Sequence, residues 1–231
     1  MILLLVSFFL FLFSLYILSH DDFVMLRKNV TVEQIFNIAI LTGFISLFFA
    51  RLVFVLFHFN SGFLNPLVFF LFWYFPGLSL AGGILGGITF LLYYASSRKL
   101  PVARLFDFFS FSLLAVLPFS TFVTFLFAQN KARLVELIIF LLYAIIFLIF
   151  IFFFLPRYRK ATIKEGSLGQ FALLFICIVA LTAEFLQKNV KIFSIFTLES
   201  FLFIGMILVI GFYILKREKI IARGQRGRRN E

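Results

Sequence analysis

Charge is scarce in this chain. Asp, Glu, Lys and Arg make up 13% of its 231 residues, about half the ~25% of an ordinary soluble domain. Cysteine is scarcer still. The single Cys177 excludes an intrachain disulfide and, having no companions, a Cys-based metal site; a buried, inert thiol is the expected state. The two histidines, His20 and His58, fall at opposite-facing ends of apolar runs, which excludes a His pair. No Gly-x-Ser-x-Gly, His-Glu-x-x-His or phosphate-loop pattern occurs. No metal and no cofactor is expected. The longest polar stretches are about 15 residues, too short for a separate soluble domain.

What fills the chain is apolar bulk. The sequence is 63% hydrophobic, with 40 Phe and a mean hydropathy of +1.13. Any bulky apolar side chain suits a lipid-facing surface, so the Phe excess carries no further argument. Runs near 20 residues are long enough to span a bilayer. Seven occur, at 1–19, 35–58, 77–97, 105–128, 134–156, 169–187 and 197–215. The expected fold is an all-α integral membrane protein of about seven transmembrane helices. Residues 1–216 form a single transmembrane domain and 217–231 a basic tail. The first run lacks a basic leading region and a small-residue cleavage site, so it is read as a retained helix. Thr31 with Gln34 fits a capping box opening the second span. Residues 63–75 are apolar but short and contain Asn65-Pro66. They read as an interfacial or re-entrant segment, with Trp73 and Tyr74 at the membrane boundary.

Loop charge sets an orientation. Of the 21 Lys and Arg, sixteen fall in one set of alternate loops and the tail, from Arg27 and Lys28 to Arg228 and Arg229. Lys131, Arg133, Lys188 and Lys191 fall in the other set, and Arg51 lies inside a span. The positive-inside rule then puts the N-terminus outside and the C-terminus in the cytoplasm. The net charge of +11 is explained by these juxtamembrane flanks, whose natural partner is anionic lipid rather than nucleic acid.

Polar groups inside spans are expensive, about 2.5–3.5 kcal/mol for a charge at a helix centre, and therefore informative. Arg51 and Glu184 lie at similar depth in the outer half. Either they pair and hold two helices together, or the guanidinium faces a lipid phosphate, which it can hold bidentately. Asp107, near an inner end, reads as an interfacial cap or a partner for Arg104. Glu136 and Glu199, at span edges, read as solvated.

Residues 79 to 87, SLAGGILGG, place Gly82, Gly83, Gly86 and Gly87 at small-xxx-small spacing twice over. That permits close helix packing, and equally a lipid chain lying against bare backbone.

The order of these features resembles the prolipoprotein diacylglyceryl transferase family. The resemblance is carried by LFFARLVFVLFH at 47–58, NPLVFFLFWYFPGLSLAGGILGG at 65–87 and LLYYASSRKLPVARLFDFF at 91–109. It resumes with Gly166, an apolar span and Glu184-Phe185-Leu186. It implies a seven-helix bacterial plasma-membrane protein with phosphatidylglycerol as lipid substrate and prolipoprotein signal peptides as possible partners. It makes the glycine row the wall of a lipid site, with Arg51 and Glu184 beside it. The family's catalytic groups do not carry over. Its histidine falls on Ala81, its essential arginine on Thr121, its asparagine on Thr124, a glutamate on Gln129 and a second arginine on Ala180. Activating a thiol needs a base or a cationic neighbour, and displacing a phosphate needs cations on the leaving anion. The expectation is a transferase-like, phospholipid-binding protein or scaffold with lost or altered transfer. The alternatives are an active transferase with relocated groups and a small transporter using Arg51 and Glu184.

Overall fold

The computed structural model describes residues 2–20, 22–58, 77–160, 163–187 and 197–227, excepting the side chains of 130, 131 and 217–227. The segment 63–75, Trp73 and Tyr74 included, lies outside the described residues. So do Lys188 and Lys191. The helices are α1 (Ile2–Ser19), α2 (Phe23–Arg27), α3 (Val32–Phe57), α4 (Leu80–Ser97), α5 (Val102–Phe127) and α6 (Asn130–Ile149), then α7 (Leu155–Arg159), α8 (Ser167–Gln187) and α9 (Leu198–Gly227). A π-helical turn, Phe150–Phe154, joins α6 to α7. Seven of the helical stretches are long and apolar enough to cross a membrane, with α6, the π turn and α7 forming one of them.

Local chemistry sets the ends. Thr31 and Gln34 form the expected reciprocal capping box, so α3 starts at Val32, one turn earlier than hydropathy alone indicates. Ser79 accepts from the Gly82 N–H at 3.2 Å and opens α4. The π turn has a cause in Pro156, whose ring removes the N–H that would bond residue 152. The Leu155 N–H reaches five residues back to the Phe150 carbonyl instead. The helix absorbs the proline as one wide turn.

α5 is the hub, packing against α1, α4, α6 and α8; α3 lies along α4, and α9 packs on α8. Leu105, Phe108 and Leu114 of α5 meet Phe150, Ile176 and Cys177 in a closed core. Cys177 is a buried free thiol, as expected. The outer surface is the inverse of a soluble protein's. Phe9, Phe44, Phe127, Phe152 and Phe212 are each more than 60% exposed. Such surface is unfavourable in water by about 25 cal/mol per Å² and neutral against acyl chains. The chain is a multi-pass membrane protein.

Candidate functional site

Gly82, Gly83 and Gly86 are buried, and what buries them is α3. A Cβ on Gly86 would lie 2.4 Å from the Phe49 Cβ, and one on Gly82 would lie 2.6 Å from the Val53 Cβ. Ser46 donates its hydroxyl to the Gly83 carbonyl at 2.8 Å. Gly87 is looser, with Ser46 3.5 Å from where its Cβ would be. The glycine row is thus a helix-packing face. Where the resemblance implies the wall of a lipid site, the side chains of Ser46, Phe49 and Val53 on α3 lie against this face.

Arg51 is buried on the same helix pair, 2% exposed. It lies about 28 Å along α3, at 1.5 Å per residue. Its Nη1 donates to the Gly77 carbonyl at 2.8 Å, and its guanidinium stands 5.7 Å from the Phe54 ring centroid. Next to it the Ser79 N–H donates to the Ala50 carbonyl at 3.0 Å. Non-helical backbone at 77–79 therefore bonds into α3 two turns before that helix ends. Such backbone is tolerated at membrane depth only where protein or a polar cavity surrounds it. Gly77 has φ +145°, and a Cβ there would sit 2.2 Å from the Phe54 ring. Only glycine fits that corner.

Glu184 does not pair with Arg51. Its carboxylate accepts from the Thr197 hydroxyl and, at 2.7 Å, from the Ser200 hydroxyl. It fastens α8 to the start of α9. The ion-pair expectation fails because α3 packs on α4 while Glu184 faces α9. Glu136 also departs from expectation. It is not merely solvated but accepts from Thr124 at 2.9 Å and from Gln187 at 3.0 Å, tying α5, α6 and α8 together.

The positions onto which the resemblance maps catalytic groups lie on α4, α5 and α8, with Gln129 just ahead of α6. Ala81 is fully buried on α4 and Ala180 nearly so on α8. Thr121 turns its hydroxyl back to the Leu117 carbonyl of its own helix at 2.9 Å. Thr124 bonds Glu136, and Gln129 stands exposed ahead of α6 without capping it. Among the described residues no three His, Cys, Asp or Glu side chains group as metal ligands.

The densest polar cluster lies at the other end of the bundle, where α1, α4 and α7 end and α5 and α8 begin. The Arg104 Nε donates to both Asp22 carboxylate oxygens, at 3.3 and 3.1 Å, and its Nη2 to Oδ2 at 2.5 Å. Asp22 also caps α2, accepting from the Val24 and Met25 N–H groups, each at 3.1 Å. The guanidinium covers the Tyr158 ring at 4.2 Å. Asp107, fully buried, accepts from the Gly166 and Gly169 N–H groups, both at 2.6 Å. The cap expected of Asp107 is present, but it caps another helix, α8, across 59 residues. The Arg104 partner is Asp22, not Asp107. The Tyr158 hydroxyl lies beside the Asp107 carboxylate without hydrogen-bond geometry. Sequence reading missed the Asp22–Arg104 pair. Its signal was weak: an acid one residue before a five-residue helix.

Compared with protein-family models, with curated proteins and with solved structures, the chain matches none.

Proposed function

We propose that this chain is a prolipoprotein diacylglyceryl transferase-like protein of a bacterial plasma membrane that binds phosphatidylglycerol without transferring its diacylglyceryl group. In this reading the N-terminus is outside and the C-terminus cytoplasmic, with the Asp22–Arg104 cluster at the cytoplasmic boundary. The observation that carries it is Arg51, a guanidinium buried at membrane depth on the Gly77 carbonyl. A buried cation there is costly, and a guanidinium can hold a phosphodiester through two parallel, charge-assisted hydrogen bonds.

Loss of transfer is supported by Ala81, Thr121 and Ala180, which supply neither a base nor a cation. At these three positions the cysteine thiol of a prolipoprotein finds no base, and the phosphate leaving group no cation beyond Arg51. Arg51 supplies binding and not proton transfer.

The test is lipid-dependent stability. Purified protein in neutral detergent is titrated with phosphatidylglycerol or phosphatidylcholine and its unfolding temperature followed. Preferential stabilisation by phosphatidylglycerol, lost in Arg51→Lys while that variant stays folded, supports the reading. Equal response of the wild type to both lipids overturns it.

A further inference from the structure

The connection between α1 and α3 folds into a rigid corner at the membrane boundary, and its exposed face is unlike an ordinary loop. Both flanking helices are long and apolar enough to span, so residues 20 and 22–31 must lie where they leave the acyl region. The corner is fixed on its inner side. Arg104 holds Asp22, Met25 is 1% exposed, and the Val30 N–H returns to the Met25 carbonyl at 3.0 Å. Asn29 supports that return with φ +53°. On the outer side Phe23 is 75% exposed and Leu26, one turn on, 63%. Arg27 and Lys28, which follow directly, are exposed as well. Beside them a cavity of about 300 Å³ opens, its lining mostly apolar, with Met25, Leu26, Val30 and Val32 beside Ser19 and Thr31.

A pair of large apolar side chains held outward beside two cations is unfavourable in water and fits an interface that is oily below and anionic above. Among the described residues two acids flank the pair. Asp22 is neutralised by Arg104, and Glu33 is a single exposed acid in the first turn of α3. We propose that this corner docks the headgroup of an anionic phospholipid. Phe23 and Leu26 enter the acyl boundary, and Arg27 and Lys28 meet the phosphate. The site is separate from Arg51 and in the opposite leaflet; it takes from the proposed function only that the basic end faces an anionic leaflet.

The experiment uses the full chain in lipid nanodiscs. The one tryptophan, Trp73, is replaced in Trp73→Phe, and Phe23→Trp supplies the probe. In bilayers containing phosphatidylglycerol, the probe is expected to be quenched by lipids brominated near the glycerol end of the acyl chain and shielded from aqueous iodide. Quenching by iodide as strong as for free tryptophan overturns the proposal. Arg27→Gln with Lys28→Gln touches only exposed side chains and should leave the fold intact. It is expected to weaken phosphatidylglycerol binding at this corner at least threefold, read as the loss of headgroup-dependent shielding of the probe. Identical shielding in phosphatidylcholine and phosphatidylglycerol, in the parent and in the double variant, equally overturns the headgroup assignment. Arg51→Lys leaves the probe's response unchanged, so failure of the Arg51 reading and failure of this one are separate results.

Discussion

Arg104 and Asp22 stand 82 residues apart in sequence and are joined by three hydrogen bonds at one end of the helix bundle. The side chains are 12% and 7% exposed, so solvent screening is weak and the loss of one partner strands a nearly buried charge. Arg104→Met is expected to destabilise by about 3–5 kcal/mol. Asp22→Asn keeps part of the cap on α2 and should cost less. The double variant should fall short of the sum, with a coupling of about 0.5–3 kcal/mol. Thermal unfolding of the four proteins in one detergent measures this, and strict additivity would disprove the pairing.

Asp107 is expected to matter through α8. Asp107→Asn keeps one acceptor oxygen and turns an amide N–H₂ toward a backbone N–H. That leaves one buried donor unsatisfied, at about 1–3 kcal/mol, and removes the charge that complements the helix N-terminus. Asp107→Ala should be worse. Hydrogen exchange at Gly166 and Gly169 should rise in both variants. Unchanged exchange there would assign the carboxylate another role.

The glycine face makes a graded prediction. Gly86→Ala places a methyl 2.4 Å from the Phe49 Cβ and should cost about 1–3 kcal/mol by overpacking, whereas Gly87→Ala meets nothing closer than 3.5 Å and should be tolerated. Adding Phe49→Ala to Gly86→Ala should restore part of the loss. If Gly86→Ala instead leaves stability intact and changes only lipid binding, the face is a ligand wall after all.

Orientation can be read with single cysteines. In a Cys177→Ser background, Asn29→Cys and Ser97→Cys should react with an impermeant maleimide only after the cytoplasmic side is exposed, and Gln129→Cys should react from outside in intact cells. The reverse pattern would invert the topology.

Most of the architecture was legible in the sequence, because a bilayer imposes a length and polarity rule that hydropathy reads directly. The seven spans match to within a few residues, and the start of α3 was written in Thr31 and Gln34. What the sequence did not show is which polar group meets which. Arg51 and Glu184 share a depth, and depth alone suggested a pair. Rotation about each helix axis decides partners, and that follows from packing: α3 is drawn onto the glycines of α4, which turns Arg51 toward Gly77, while Glu184 turns toward α9. The sequence offered Asp107 as a cap or as a partner for Arg104; it is a cap, but its target sits 59 residues away, beyond any local pattern. The glycine row was open in the same way, since helix partners and lipid chains place the same demand on a sequence.

The proposed function has the chain bind phosphatidylglycerol without reacting with it. The direct measurement incubates purified protein with phosphatidylglycerol labelled in its diacylglyceryl part and a lipobox signal peptide, and follows label on the peptide cysteine. The expected result is labelled lipid bound to the protein and no thioether-linked label on the peptide above a no-protein control. Time-dependent labelling of the cysteine that requires this chain would contradict it.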